Sequence, residues 1–208
     1  RWNQMKILII STPRAGSSSL LKNISKIGKS KSIFEPYMSS DPLSKRTVER
    51  IPFPFTPPEK CVVKMLVNQV PKAYGTDSDF FNFIISIYKD YDKLILLNRR
   101  NLKDHFISYV NLRINNSNKT YPQLPWYIED IESKLNNFSM DEITYWRDII
   151  DKISSKLLVP ITYYEDLYGV DRKLSLKTIK ELELNINSNE LNRLSHPKFK
   201  LMRNRSII

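Results

Sequence analysis

Residues 5–21, MKILIISTPRAGSSSLL, join a short apolar run to a Pro-Arg-Ala-Gly turn and then to three consecutive serines. Few folds accommodate that succession. Residues 6–10 are rich in Ile and Leu without alternation, as a parallel strand buried on both faces would be. Pro13, Arg14, Ala15 and Gly16 break the periodicity. Ser17, Ser18 and Ser19 then supply hydroxyls and backbone N–H groups at a helix start, where unpaired amides and the helix dipole favour an anion. Arg14 adds a permanent cation whose fork of donors suits phosphate or sulfate. No Gly-Lys-Ser/Thr follows the turn, so the segment is not a Walker A loop and an ATP γ-phosphate site with Mg²⁺ is not expected.

The remaining chain fits a strand–loop–helix beginning of this kind. At 208 residues it suits a single α/β domain spanning 1–208. One cysteine, Cys61, leaves no internal disulfide framework, and His105 and His196 are the only imidazoles, so no metal site is expected. No apolar run approaches the ~20 residues that cross a bilayer, and no signal peptide is visible, so a cytoplasmic location is expected. Residues 1–4 precede a natural-looking start at Met5 and are expected to be foreign to the native chain, which would open directly on its first strand. Net charge is +11, from 33 Lys plus Arg against 22 Asp plus Glu. That excess suits a polyanionic ligand: nucleotide, nucleic acid, acidic glycan or anionic membrane surface.

Strand and helix signals alternate along the chain without internal repeats. Helices are expected at 17–27, 78–91, 102–114, 139–156 and near 173–184. Strands are expected at 6–10, 32–34, 61–67, 93–97 and 157–163. The five prolines of 42–58 mark a surface loop, and 115–125 is polar and turn-rich. Alternation of this kind predicts a P-loop-like, three-layer α/β fold with a central parallel sheet flanked by helices. Ligands of such sheets sit at the carboxyl ends of the strands. The loop after Ile10 lies at one such end.

The segment after Leu97 lies at another. There Arg100 stands at the strand exit, and Ser108 follows two helical turns later, roughly 11 Å along the helix. An anion over the helix start is within reach of Arg100, and of Ser108 if the chain doubles back. Read alone, the same residues fit an arginine paired with acidic neighbours and a serine packed on the inner face of the helix.

Taken together the two segments resemble the PAPS-dependent sulfotransferases, which transfer a sulfuryl group from 3′-phosphoadenosine 5′-phosphosulfate (PAPS) and release PAP. Pro13-Arg14-Ala15-Gly16-Ser17-Ser18 is similar to the family's 5′-phosphosulfate loop. Arg100-Asn101-x-x-Asp104-x-x-x-Ser108 is similar to its 3′-phosphate motif. Tyr163-Tyr164-Glu165-Asp166-Leu167 is close to a Tyr-Glu-Asp-Leu found there after the last strand. The resemblance implies that Arg14, Ala15, Gly16, Ser17, Ser18 and Ser19 cradle the phosphosulfate. Arg14 would stabilise charge on the bridging oxygen as the sulfuryl group leaves. It further implies that Arg100 and Ser108 bind the 3′-phosphate and that Tyr164 meets the adenine, unless Tyr164 is simply a packed strand-end aromatic.

The sequence departs from the family's histidine-base branch. Val62-Val63-Lys64-Met65-Leu66 resembles the strand that carries the base there, but Leu66 stands where the histidine would be. The glycan, tyrosylprotein and bacterial branches use a glutamate after the second strand, and Glu35 occupies the corresponding place. Glu35 is accordingly the expected general base. Lys64 either faces the reaction centre or pairs with a carboxylate. His105 is expected to be packed or at the surface, and His196 at the surface. Leu20 or Leu21 replaces an adenine-facing tryptophan. Lys198, Lys200, Arg203 and Arg205 make 196–208 a solvated basic tail. Acceptor walls are expected in 36–58 and 115–126.

The expected activity is metal-independent sulfuryl transfer from PAPS to an acceptor hydroxyl. A carbohydrate acceptor comes first, with tyrosyl or small-alcohol acceptors as alternatives. The rival from another class is a basic nucleic-acid-binding module, for which charge alone argues.

Overall fold

The computed structural model describes residues 5–37, 54–69, 80–117 and 135–168, together with Ser175 and Lys180. Five parallel strands lie in the order β2-β3-β1-β4-β5, namely β1 (Lys6–Ser11), β2 (Lys31–Phe34), β3 (Cys61–Leu66), β4 (Lys93–Asn98) and β5 (Ile161–Tyr163). The apolar run that opens the chain becomes the middle strand. Ile9 pairs with Lys64 on one side and Ile95 on the other, and Leu8, Ile9 and Ile10 are fully buried. Burial on both faces is what an unalternating Ile/Leu run requires.

Helices cover both faces. α1 (Ser17–Gly28) and α5 (Tyr164–Leu167) pack Leu20, Leu21, Ile24 and Leu167 onto Ile7, Ile9, Val62, Ile95 and Leu97. α2 (Phe80–Ile87), α3 (Leu102–Ser117) and α4 (Asp141–Leu157) pack onto Leu8, Ile10, Val63, Met65 and Leu96 on the other face. The result is the expected three-layer α/β arrangement. Leu20 and Leu21 are core residues.

Several boundaries differ from the sequence expectation. α2 ends at Ile87, and Tyr88–Asp90 form a tighter 3₁₀ turn; its expected start at 78–79 lies outside the described residues. α3 runs on to Ser117, because neither Gly nor Pro interrupts it there, so 115–117 are helical rather than loop. β5 is only Ile161–Tyr163. α4 persists to Leu157, Leu158 closes it in a left-handed conformation (φ 54°), and Pro160 precedes the strand. Ser139 does prepare the start of α4, its hydroxyl accepting the Asp141 amide at 2.9 Å. The loop over 42–53, the helix over 173–184 and the tail with His196 lie outside the described residues, apart from Ser175 and Lys180. Among the described residues no helix is long and apolar enough to cross a membrane.

From β1 the chain moves through α1 to β2 on one side. From β4 it moves through α3 and α4 to β5 on the other. The crevice between the carboxyl ends of β1 and β4 is therefore the switch point at which open parallel sheets bind ligands.

Candidate active site

The loop leaving β1 is held from below and turned twice. The Thr12 hydroxyl donates to Asn98 Oδ1 at 3.2 Å, tying the ends of β1 and β4 together. The Ala15 amide closes a turn on the Thr12 carbonyl at 3.4 Å. Arg14 (φ 67°) and Gly16 (φ 84°) both lie in the left-handed region. Gly16 is required for a second reason. A Cβ there would stand 2.5 and 2.8 Å from two ring carbons of Tyr164. The Gly16 carbonyl starts α1 by accepting the amides of Ser19 and Leu20 at 3.1 and 3.2 Å. Among the described residues the amides of Gly16, Ser17 and Ser18 find no acceptor, which leaves three successive donors open at the start of α1. That donor set fits a tetrahedral oxyanion. Arg14 points across the crevice, its Nε donating to Ser108 Oγ at 3.2 Å. Ser19, by contrast, is buried beside the Tyr168 hydroxyl.

A second cluster forms at the ends of β2 and β3. Phe34 and Lys64 are register partners on the α1 side of the sheet, and the Lys64 amine lies 4.2 Å from the centre of the Phe34 ring. Simple alternation would send Glu35 to the other side. The Glu35 amide still completes the ladder on the Lys64 carbonyl at 2.9 Å, but φ turns to 48° and the carboxylate swings back. There Glu35 Oε1 is bound by Lys64 Nζ, while Gln69 Nε2 donates to Oε2 at 2.8 Å. Lys64 Nζ also donates to Ser18 Oγ at 3.1 Å, which joins this cluster to the β1 loop. Of the two alternatives for Lys64, the structure shows the pairing with a carboxylate, and the amine also reaches the loop at Ser18. Burial holds its amine below the usual lysine range, Glu35 works against that shift, and the Arg14 charge adds to it.

Four described non-glycine residues have positive φ: Arg14, Lys29, Glu35 and Leu158. Lys29 and Leu158 are helix C-caps, an ordinary use of that conformation. Arg14 and Glu35 are not caps. They are the two residues with the most specific catalytic expectation; Arg14 reaches Ser108 across the crevice, and Glu35 turns onto Lys64 and Gln69.

Sequence-adjacent arginines diverge at the exit of β4. Arg100 is bound to Asp166 with its guanidinium 4.5 Å from the Tyr163 ring centre, and its side chain is 61% exposed. Arg99 instead lies 4.7 Å from the ring centre of Tyr164, the ring that covers Gly16. Asn101 caps α3 through its side-chain oxygen on the Asp104 amide at 3.1 Å.

His105 is fully buried rather than at the surface. Its Nε2 lies 2.6 Å from the Pro13 carbonyl. A carbonyl only accepts, so the proton is on Nε2 and the neutral tautomer is set. Burial pushes the imidazole down to about 4, with Arg99 and Arg147 assisting and the Pro13 carbonyl and Glu165 opposing. His105 is therefore a neutral latch between α3 and the loop.

The structure brings together Arg14 with Ser108, and Ser18 with Lys64 and Glu35. It sets Arg100 apart with Asp166. Gln69, Asn98, Arg99 and the latch of His105 escape sequence reasoning. Of these, Asn98 carries a usable signal, a polar residue at the buried exit of a central strand. Of the expected acceptor walls, Pro36 and Tyr37 are buried, Tyr37 packing edge-on to Phe83 at 5.4 Å. No family model, curated protein or solved structure matches the chain.

Proposed function

We propose that this chain is a sulfotransferase that moves a sulfuryl group from PAPS to an acceptor hydroxyl. The observation that carries the reading is the convergence, at the carboxyl ends of β1, β2, β3 and β4, of a loop with open amides, two cations and a carboxylate. Arg14 and Ser108, bonded at 3.2 Å, are 94 positions apart. Lys64 and Ser18 are 46 apart, and Lys64 and Glu35 are 29 apart. Local sequence preference does not explain that gathering.

In this reading the loop amides with Ser17 and Ser18 hold the 5′-phosphosulfate. The acceptor oxygen attacks sulfur in line, and Glu35 takes the hydroxyl proton. As the new O–S bond forms, the bond from sulfur to the bridging phosphate oxygen breaks and PAP departs. Arg14 meets the charge that appears on that oxygen. Lys64 lies between the loop and Glu35, where it lowers the cost of two anions in one crevice. Each Glu35 oxygen retains a lone pair beyond its present partner, so proton transfer needs no rupture of the cluster. The donor's second anionic group is recognised near Ser108 by an arginine at the exit of β4. A carbohydrate acceptor suits the net charge of +11 and the glutamate base.

The decisive experiment is transfer of labelled sulfate from PAPS to a panel of glycans, tyrosyl peptides and small alcohols, with PAP and AMP binding measured alongside. Transfer to any hydroxyl, together with preference for PAP over AMP, supports the reading. No transfer and equal binding of PAP and AMP remove it.

A further inference from the structure

Arg99 and Arg100 leave β4 side by side, but only one of them is provided for. The Arg100 amide donates to Glu165 Oε2 at 2.9 Å, and the Asn101 amide approaches the same carboxylate at 3.4 Å. Asp166 holds the Arg100 guanidinium. Both acidic residues of the Tyr-Glu-Asp-Leu segment are therefore spent on the start of α3. The anion seat at those two amides is filled by the chain itself, and the Arg100 charge is already neutralised.

Arg99 has the opposite surroundings. Alternation along β4 continues Ile95 and Leu97 and sets Arg99 on the α1 side of the sheet, where the loop lies. Its guanidinium stacks on Tyr164, and that ring packs on Gly16. One Nη1 donates to the Asp104 carbonyl at 3.0 Å, one turn before Ser108 on the same helix. Its Nε is buried with no hydrogen-bond partner, and no carboxylate pairs with Arg99 among the described residues. A guanidinium fixed by an aromatic face and a single carbonyl, with donors unfilled and no counter-ion, is incomplete as a purely structural group.

We propose that Arg99, not Arg100, is the arginine that takes the second anionic group of the nucleotide, with Arg100 serving as a brace between α3 and α5. The assignment rests on the PAPS reading and departs from the register that the sequence resemblance implies. Stacking on Tyr164 pre-orients the fork, so a phosphate arriving beside Ser108 gains a charge-assisted contact without ordering a mobile side chain.

The test is calorimetric titration of the whole chain with PAP and with AMP, in the parent and in Arg99→Ala, Arg99→Lys and Arg100→Ala, each checked for an unchanged circular dichroism spectrum. Arg99→Ala is expected to weaken PAP by about tenfold to a hundredfold and AMP by less than about threefold. Arg99→Lys keeps the charge and stem but loses the planar fork, and is expected to recover only part of the PAP affinity. It carries the test if the alanine variant does not fold. Arg100→Ala is expected to change both affinities by less than about threefold. Selective loss of PAP in Arg100→Ala, with Arg99 variants unaffected, overturns the assignment while leaving the PAPS reading intact. A parent chain that binds PAP no better than AMP overturns both.

Discussion

Lys64–Glu35 and Arg100–Asp166 are the same kind of contact, a cation on a carboxylate, in opposite settings. The first has side-chain exposures of 4% and 6% and lies at the ends of β2 and β3; the second has 61% and 49% and lies on the rim. Burial makes the inner pair a commitment. Both charges are almost wholly withdrawn from water, so each depends on the other and on Ser18 and Gln69. On the rim, water and salt substitute for either partner, and the pair does little beyond orienting the α3 start. The contrast shows where function is to be sought. A buried charge cluster beside open loop amides is costly to build, whereas a solvated ion pair is nearly free of consequence.

Replacing the carboxylate of the inner cluster is the sharpest way to probe that contrast. Glu35→Gln keeps the shape and is expected to lower turnover by about 10²–10⁴, with PAP affinity within a few-fold of the parent. Steady-state rates with labelled PAPS, set against calorimetric PAP titration, separate the two quantities. Turnover within a few-fold of the parent would reduce Glu35 to a structural carboxylate.

Removing the cation instead strands Glu35. Lys64→Met is expected to cost about 3–5 kcal/mol in urea unfolding, and the double variant Lys64→Met/Glu35→Leu to regain most of it. A loss below about 1 kcal/mol would mean that water reaches the pair, and the contrast with the rim would collapse.

His105 extends the comparison to pH. Its folded-state imidazole sits at about 4 against an ordinary 6.5, so between those values the unfolded chain binds the extra proton. Stability therefore falls as pH drops from 6.5 towards 4, by on the order of 3 kcal/mol from this residue. Above 6.5 its contribution is complete. Urea midpoints across that range should show the slope in the parent. His105→Gln, which keeps a donor for the Pro13 carbonyl, should flatten it. An unchanged slope in that variant would assign the acid sensitivity to carboxylates.

The smallest effect is expected on the rim. Asp166→Asn should shift unfolding free energy by no more than about 0.5 kcal/mol, and salt should erase the difference. A shift above about 1.5 kcal/mol would place this pair with the buried one.

Much of the fold could be read without coordinates, because the buried strands are short apolar runs and the helices carry amphipathic faces between them. That the loop after β1 and the segment after β4 share one edge was legible, since parallel strands present all their carboxyl ends there; the pairing of Arg14 with Ser108 was implied only by the family resemblance. Glu35 was legible as a residue after a strand. Its direction was not, because alternation points it the wrong way and a left-handed φ of 48° corrects it. Gln69 was invisible for a related reason: its bond to Glu35 crosses 34 positions and has no periodic trace.

By itself, the sequence determined the layer architecture, the burial of the first strand on both faces and the turn into a helix at its end. These follow from hydrophobic period and from local backbone chemistry, which act over a few residues. The middle place of that strand in the sheet came from the structure. Only the tertiary structure decided which of two adjacent arginines is neutralised, how Lys64 divides itself between Ser18 and Glu35, and that His105 is a buried neutral latch. Those outcomes depend on which distant groups share a low-dielectric space. Charge pairing and desolvation there are set by position in the fold rather than by neighbours along the chain.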